Sequence, residues 1–424
     1  MARTQSLTMH NVASETKMGS TEPPERMPKF WDGMSFPAWR RLVTKNHFRL
    51  AARYWSALPL ITALSLFHSA YRLWQWVVVG WRIKRKIDSP PLFILGHWRS
   101  GTTLLHELLV LDQRHTFPTT YECFAPNHFV LTEWAGTRLF AFLVPRRRPM
   151  DNMAAGWHRP QEDEFALCNL GVPSPYLTIA FPNEPPQDQE YWTLEGVAPE
   201  AVARWKKVFL RFLQEINHRA GRRKRIVLKS PPHTGRVKIL LEMFPDAKFV
   251  HIVRNPFVIF PSTVHLWKTL YAAQGLQQPN FAGLEEYVFA NLTRMYERFE
   301  NDRQRIPPGN FSEIRYEDLV REPVDSIRRV YDELGLAGFD EALPALEAFV
   351  SSMKGYQPNK YRELAPAVRE QIARRWRGYI ERYGYAPQPS GGPRDEPSSM
   401  REESSGVRSH RGAGAARGAT IDAS

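Results

Sequence analysis

The stretch Pro90–Leu109, PPLFILGHWRSGTTLLHELL, leaves a chain that contains it few ways to fold. Four apolar residues, Leu92–Leu95, sit between two prolines and Gly96, the pattern of a short strand buried on both faces. Gly96 and Gly101 bound a loop, and apolar residues at helical spacing follow from Thr102. Strand, tight glycine loop and helix in that order predict an α/β fold around a parallel sheet. The nucleotide phosphate loop, G-x-x-x-x-G-K-[ST], has both glycines at this separation, but Thr102 stands where its lysine belongs. What remains still suits an anion. Backbone N–H groups run from Ser100 to Thr103, Ser100, Thr102 and Thr103 add hydroxyls, and the helix contributes its positive end. Arg99 supplies a cation from the other side of the loop.

Two further apolar bursts, RIVLKSPPHTG (residues 225–235) and KFVHIVRNPFVIFPS (residues 248–262), read as buried parallel strands that run out into loops. Ligands of open α/β sheets bind beyond the carboxyl ends of the strands, so three strand ends are expected to face one crevice. A triphosphate enzyme would need a magnesium site, usually an aspartate closing a strand. Here KFVHIV closes on Arg254, a cation that fits a second phosphate and repels a metal. Ser262, on the helix expected after Asn255-Pro256, is within reach of the same phosphate. A P-loop kinase or other nucleoside-triphosphatase is therefore the rival that these residues disfavour, and no metal site is expected.

RSGTT (Arg99–Thr103) followed by RNPFVIFPS (Arg254–Ser262) resembles the sulfotransferases that use 3′-phosphoadenosine 5′-phosphosulfate (PAPS), in the bacterial-type form with an Arg-Ser-Gly-Thr-Thr loop. Two more segments are similar in order: VLKSPPH with Lys229, and IRYEDLVREP with Tyr316. The resemblance covers about residues 89–386. It implies that Arg99, Ser100, Gly101, Thr102 and Thr103 hold the 5′-phosphosulfate, that Arg254 and Ser262 hold the 3′-phosphate, and that Tyr316 lies near the adenine. It further implies in-line transfer of a sulfuryl group to a hydroxyl, or secondarily an amine. Arg99 and Lys229 would stabilise charge on the departing phosphate.

The general base is less determined. Cytosolic members carry a histidine two residues after the lysine, where this chain has Pro231, with His233 two residues later. Members that modify glycans, glycolipids and proteins use a glutamate a little over twenty residues past the loop, which corresponds to Glu122 and makes it the first candidate. Glu162, Glu164 and His233 are the alternatives. Glu162, Asp163 and Glu164 are consecutive, and such a run after Pro160 also reads as a solvated helix start.

The rest of the chain sets the context. Its formal net charge of +13 favours anionic partners. The resemblance makes these a nucleotide cosubstrate and a hydroxylated acceptor, with no nucleic acid. Two cysteines exclude a disulfide framework, and the first thirty residues lack a secretory apolar core, so a cytoplasmic location is expected. Residues 1–28 and 387–424 read as disordered, 29–88 as a helical extension, and 89–386 as the catalytic domain. Within the extension, residues 54–81 hold Trp55, Trp74, Trp76 and Trp81 between basic flanks. Three readings are open: peripheral or monotopic contact at the cytoplasmic face of a membrane, helices packed on the domain with tryptophans filling core gaps, and, least favoured, a spanning helix. The first points to a lipid or glycolipid acceptor. A non-catalytic protein that holds anionic lipid or glycan is the second rival.

Overall fold

In the computed structural model, residues 28–83, 86–143, 155–221, 223–353 and 364–385 are described. The leader up to residue 27 and the tail from 387, both expected to be disordered, lie outside them.

Five parallel strands form the sheet: β1 (Leu92–Leu95), β2 (His115–Thr116), β3 (Arg225–Lys229), β4 (Lys248–Val253) and β5 (Phe311–Arg315), in the order β2-β3-β1-β4-β5. Every residue of β1 is fully buried, as its unbroken apolar run requires for a central strand covered by helices on both faces. Ile94 pairs with Lys229 of β3 and Leu95 with His251 of β4, so all three strands deliver their loops to one end. The chain order reverses about β1, which makes that end the crevice of an open α/β sheet.

The helices that position the site are α1 (Phe36–Lys45), α2 (Leu58–Val79), α3 (Thr102–Leu109), α4 (Thr120–Phe124), α5 (Phe129–Leu139), α6 (Asp163–Asn169), α7 (Pro199–Arg219), α8 (Pro256–Gln274) and α9 (Arg377–Tyr383). α3 follows the β1 loop and α8 follows β4, each as expected from sequence. Proline at the first position of α8 and the Asn255 side chain, which accepts from the Phe257 N–H at 2.9 Å, fix where that helix begins.

Residues 29–88 divide into two parts. The first is core: Phe30, Trp31, Trp39 and Leu42 are buried, and Trp31 Nε1 donates to the Gln274 carbonyl at the end of α8 at 2.7 Å. The second, α2, lies against α1 and α5 and buries only Ile61, Ser65, Gln75 and Val79. Trp74, Trp76 and Trp81 are all more than half exposed, so the segment packs on the domain without its tryptophans filling core gaps. Among the described residues no helix is long and apolar enough to cross a membrane.

Candidate active site

The β1 loop is built around backbone that side chains rarely adopt. Gly101 has φ +102°, and a Cβ there would lie 2.3 Å from Cδ2 of Tyr316, so the ring of Tyr316 packs against a surface only glycine leaves open. Arg99 is left-handed at φ +67°, a conformation costly for a non-glycine residue and characteristic of functional loops. Its twist brings Arg99 Nε within 2.7 Å of Ser262 Oγ on α8, to which it donates. Arg254 Nη1 in turn donates to the Arg99 carbonyl at 2.8 Å, and its guanidinium lies 3.9 Å from the centre of the Tyr316 ring. Four expected ligands, from three separate segments of the chain, thus form one cluster. The end of β4 is pinned from behind: the Tyr379 hydroxyl of α9 accepts from Arg254 N–H at 3.1 Å and donates to its carbonyl at 3.0 Å.

On the other side of the loop, the acidic run proves to be buried, contrary to the expectation of a solvated helix start. Asp163 and Glu164 have no exposed surface and Glu162 very little. Burying three adjacent carboxylates is expensive unless each is paired, and the loop after β3 supplies three cationic or ionisable partners in step. Lys229 Nζ donates to Glu162 Oε1 at 2.6 Å. His233 Nε2 lies 2.9 Å from Asp163 Oδ2, and Ser230 Oγ donates to Asp163 Oδ1 at 2.9 Å. Arg236 grips Glu164 through both nitrogens, at 2.6 and 3.0 Å. Burial alone would raise the Asp163 carboxyl, but His233 and these hydrogen bonds hold it below the usual carboxylate range.

Sequence reasoning missed several members of this site. Tyr176 donates to Glu162 Oε2 at 2.5 Å, so that both oxygens of Glu162 are engaged. The Tyr176 ring packs 5.8 Å from Trp98, itself 5.0 Å from Trp192 and 5.4 Å from Trp267. Trp98 is therefore a packing residue that carries the loop on an aromatic floor. Burial pushes the neighbouring His97 down to about 4, so it stays neutral. The 229, 233, 236 spacing of Lys, His and Arg opposite three consecutive acids was the one available signal for the ladder; nothing in the sequence distinguishes Tyr176.

Glu122 has a different setting. It is the third residue of α4 and closes a capping box with Thr119, whose N–H donates to Glu122 Oε2 at 2.7 Å. Arg219, at the end of α7, donates to both oxygens at 2.7 and 3.1 Å. The carboxyl is fully buried, and burial pushes it up to about 7 against the pull of Arg219.

The joined side chains of Arg99, Ser262 and Arg254 beside the start of α3 offer cations and N–H groups suited to an anionic ligand, and Glu162, held by Lys229, is a carboxylate of the kind that transfers protons. Among the described residues no group of three or more His, Cys, Asp or Glu is arranged to hold a metal.

Comparison with known proteins agrees. The sulfotransferases STF1 from Mycobacterium tuberculosis H37Rv and STF9 from Mycobacterium avium share the fold. Their TM-scores are 0.55 and 0.56 at 20% and 18% identity, covering 83% and 76% of this chain and 93% and 84% of theirs. Two sulfotransferases called Stf3, from Mycobacterium bovis and Mycobacterium tuberculosis (strain CDC 1551 / Oshkosh), are each 49% identical over 356 residues, which is 84% of this chain and 91% of theirs. Their full name is omega-hydroxy-beta-dihydromenaquinone-9 sulfotransferase. The profile described as the Sulfotransferase family matches residues 90–341, and the chain belongs to that family, enzymes that move a sulfuryl group from PAPS to an acceptor.

Proposed function

We propose that this enzyme sulfates a hydroxyl on a lipid-like acceptor, and that it does so in the cytoplasm. The observation that carries the donor half is the cluster of Arg99, Ser262, Arg254 and Tyr316. In this reading the loop from Arg99 to Thr103 holds the 5′-phosphosulfate. Arg254 and Ser262 hold the 3′-phosphate, and Tyr316 presents its ring to the adenine. For the acceptor, the support is the 49% identity to enzymes named for an omega-hydroxylated menaquinone, which makes a hydroxylated isoprenoid quinone or a similar amphipathic lipid the first class to test.

PAPS, when bound, supplies the electrophilic sulfuryl group and the bisphosphate leaving group. This chain's residues then have three tasks. Arg99 and the N–H groups of α3 orient the donor in line with the attacking oxygen. Lys229, fixed at the end of β3, neutralises charge that grows on the departing phosphate oxygen. A carboxylate takes the acceptor proton, and geometry favours Glu162 for this role. It sits on Lys229 itself and, with both oxygens hydrogen-bonded like those of Glu122, still retains some surface, whereas Glu122 has none. Lys229 leaving Glu162 for the leaving group would free the carboxylate as the cation is needed elsewhere. One observation keeps Glu122 as a second reading: a carboxyl pushed up to about 7 is well matched to take a proton near neutral pH.

Calorimetric titration with 3′,5′-adenosine bisphosphate in EDTA, on the wild type and on Arg254→Ala, tests the donor half. Binding without metal that collapses in the variant is expected. No binding, or binding that needs magnesium, would return the chain to the triphosphatase alternative. Single-turnover release of labelled sulfate to a hydroxylated menaquinone, with Glu162→Gln and Glu122→Gln side by side, separates the two bases.

A further inference from the structure

A surface helix of a globular protein turns its polar face to water, and α2 does the opposite. Its polar side chains dock it onto the protein. Ser69 Oγ accepts from the Phe36 N–H at 2.8 Å, Thr62 Oγ1 accepts from Trp39 Nε1 at 3.1 Å, and His68 Nδ1 meets His128 Nε2 of the α5 entrance at 2.7 Å. Its outward face carries Leu60, Leu66, Leu73 and Trp76, each half or more exposed, and Trp81 follows just beyond its end. The apolar surface does not stop there. α5, held against α2 by the stacked pair His68 and His128, exposes Trp134 and Leu139, and the next turn exposes Phe142. So many large apolar side chains exposed on two helices that touch through His68 and His128 mark an interaction site.

Charge identifies what covers it. Between Gly33 and Ile87 the sequence has ten Lys or Arg and no Asp or Glu, although Lys45 and Arg49 pair with Asp188 and Glu184. Two of the exposed tryptophans carry an arginine over the ring: Arg82 lies 4.6 Å from the centre of Trp81, and Arg138 4.5 Å from that of Trp134. An indole beside a cation suits the headgroup boundary of a bilayer, where the ring meets the acyl chains and the guanidinium meets phosphate. A second copy of the chain would bring Arg82 and Arg138 of one face against the same arginines of the other, which disfavours it.

We propose that α2 and the end of α5 form a monotopic docking face for an anionic bilayer, with α2 lying in the plane of the interface. The surface itself stands on the observations above; only its purpose, to bring the crevice to a lipid acceptor, rests on the reading of the acceptor given earlier. Flotation of the full chain with phosphatidylcholine vesicles, with or without phosphatidylglycerol, tests it. The wild type is expected to float with the anionic vesicles, less with neutral ones and less at high salt. Leu73→Glu with Trp76→Glu should reduce partitioning about tenfold or more, and Arg82→Glu about fivefold or more. Both variants should bind 3′,5′-adenosine bisphosphate as the wild type does, which shows them folded. The proposal is overturned if the wild type does not float with anionic vesicles, or if the double variant floats equally well. It is also overturned if the wild type is a dimer that the double variant dissolves, since the face would then be covered by a second copy. Failure of nucleotide binding in the wild type would break the reading of the active site and leave the vesicle result standing.

Discussion

The acid ladder at the β3 loop and the outer face of α2 treat the same kinds of residue in opposite ways. In the ladder, Asp163, Glu164, His233 and Arg236 are entirely buried. On α2, leucines and tryptophans face outward and the polar side chains face in. Neither is an error of folding, because each has its compensation. The buried charges are paired one to one and fixed by further hydrogen bonds, while two of the exposed tryptophans each carry an arginine over the ring. What the contrast teaches is that polarity specifies a partner, not a depth.

Breaking the ladder at Glu162, the proposed base, should have the largest effect. Glu162→Gln is expected to lower the rate of transfer by about 10²–10⁴-fold with nucleotide binding retained, the usual range for loss of a general base. Stopped-flow or single-turnover assays would show it, and a loss confined to Glu122→Gln would assign the base there instead. Breaking the ladder at its far end tests structure and not chemistry. Arg236→Ala leaves Glu164 charged, buried and unpaired, at a cost of about 3–5 kcal/mol in thermal or urea unfolding. The paired change Glu164→Gln with Arg236→Met should recover much of that loss.

The seam between α2 and α5 has a pH dependence of its own. Burial pushes His68 down to about 4 and His128 to about 3, each from a usual value near 6.5. In acid the unfolded chain therefore takes up these protons before the folded one does. The contribution of the α2–α5 contact is complete above about pH 6.5 and is lost as the pH falls toward 4, by about 1–3 kcal/mol. Hydrogen exchange of α2 amides at pH 7 and pH 5 would detect it, and His128→Gln should flatten the difference. Smallest of all is the effect of the outer face on the folded monomer. Leu73→Gln is expected to change unfolding free energy by no more than about 0.5 kcal/mol, because the side chain has little to lose. A larger cost in dilute, lipid-free solution would mean that the face is already covered.

Much of this architecture was legible in the sequence, for particular reasons. β1, its loop and α3 are local: apolar run, glycines and helical spacing lie within twenty residues, and Arg254 and Ser262 announce themselves at the next strand end. The acid run was misread because adjacent carboxylates resemble a solvated first turn, and their partners stand 67 and 72 residues away. Tyr176 was invisible for the same reason, since only the packing of the Trp98 floor brings it to Glu162. The aromatic segment was ambiguous because its composition suits a core as well as an interface, and only the contacts of Thr62, His68 and Ser69 decide which side faces in.

The pin between Tyr379 and Arg254 also orders events in time. A ribosome releases α2 long before the strands that flank β1, since β3 begins at Arg225 and β4 at Lys248. Arg254, the proposed second phosphate ligand, then waits for a tyrosine near the far end of the fold. During synthesis the exposed apolar helix is thus made first and the end of β4 is pinned last, an order in which the proposed lipid contact precedes the proposed donor binding.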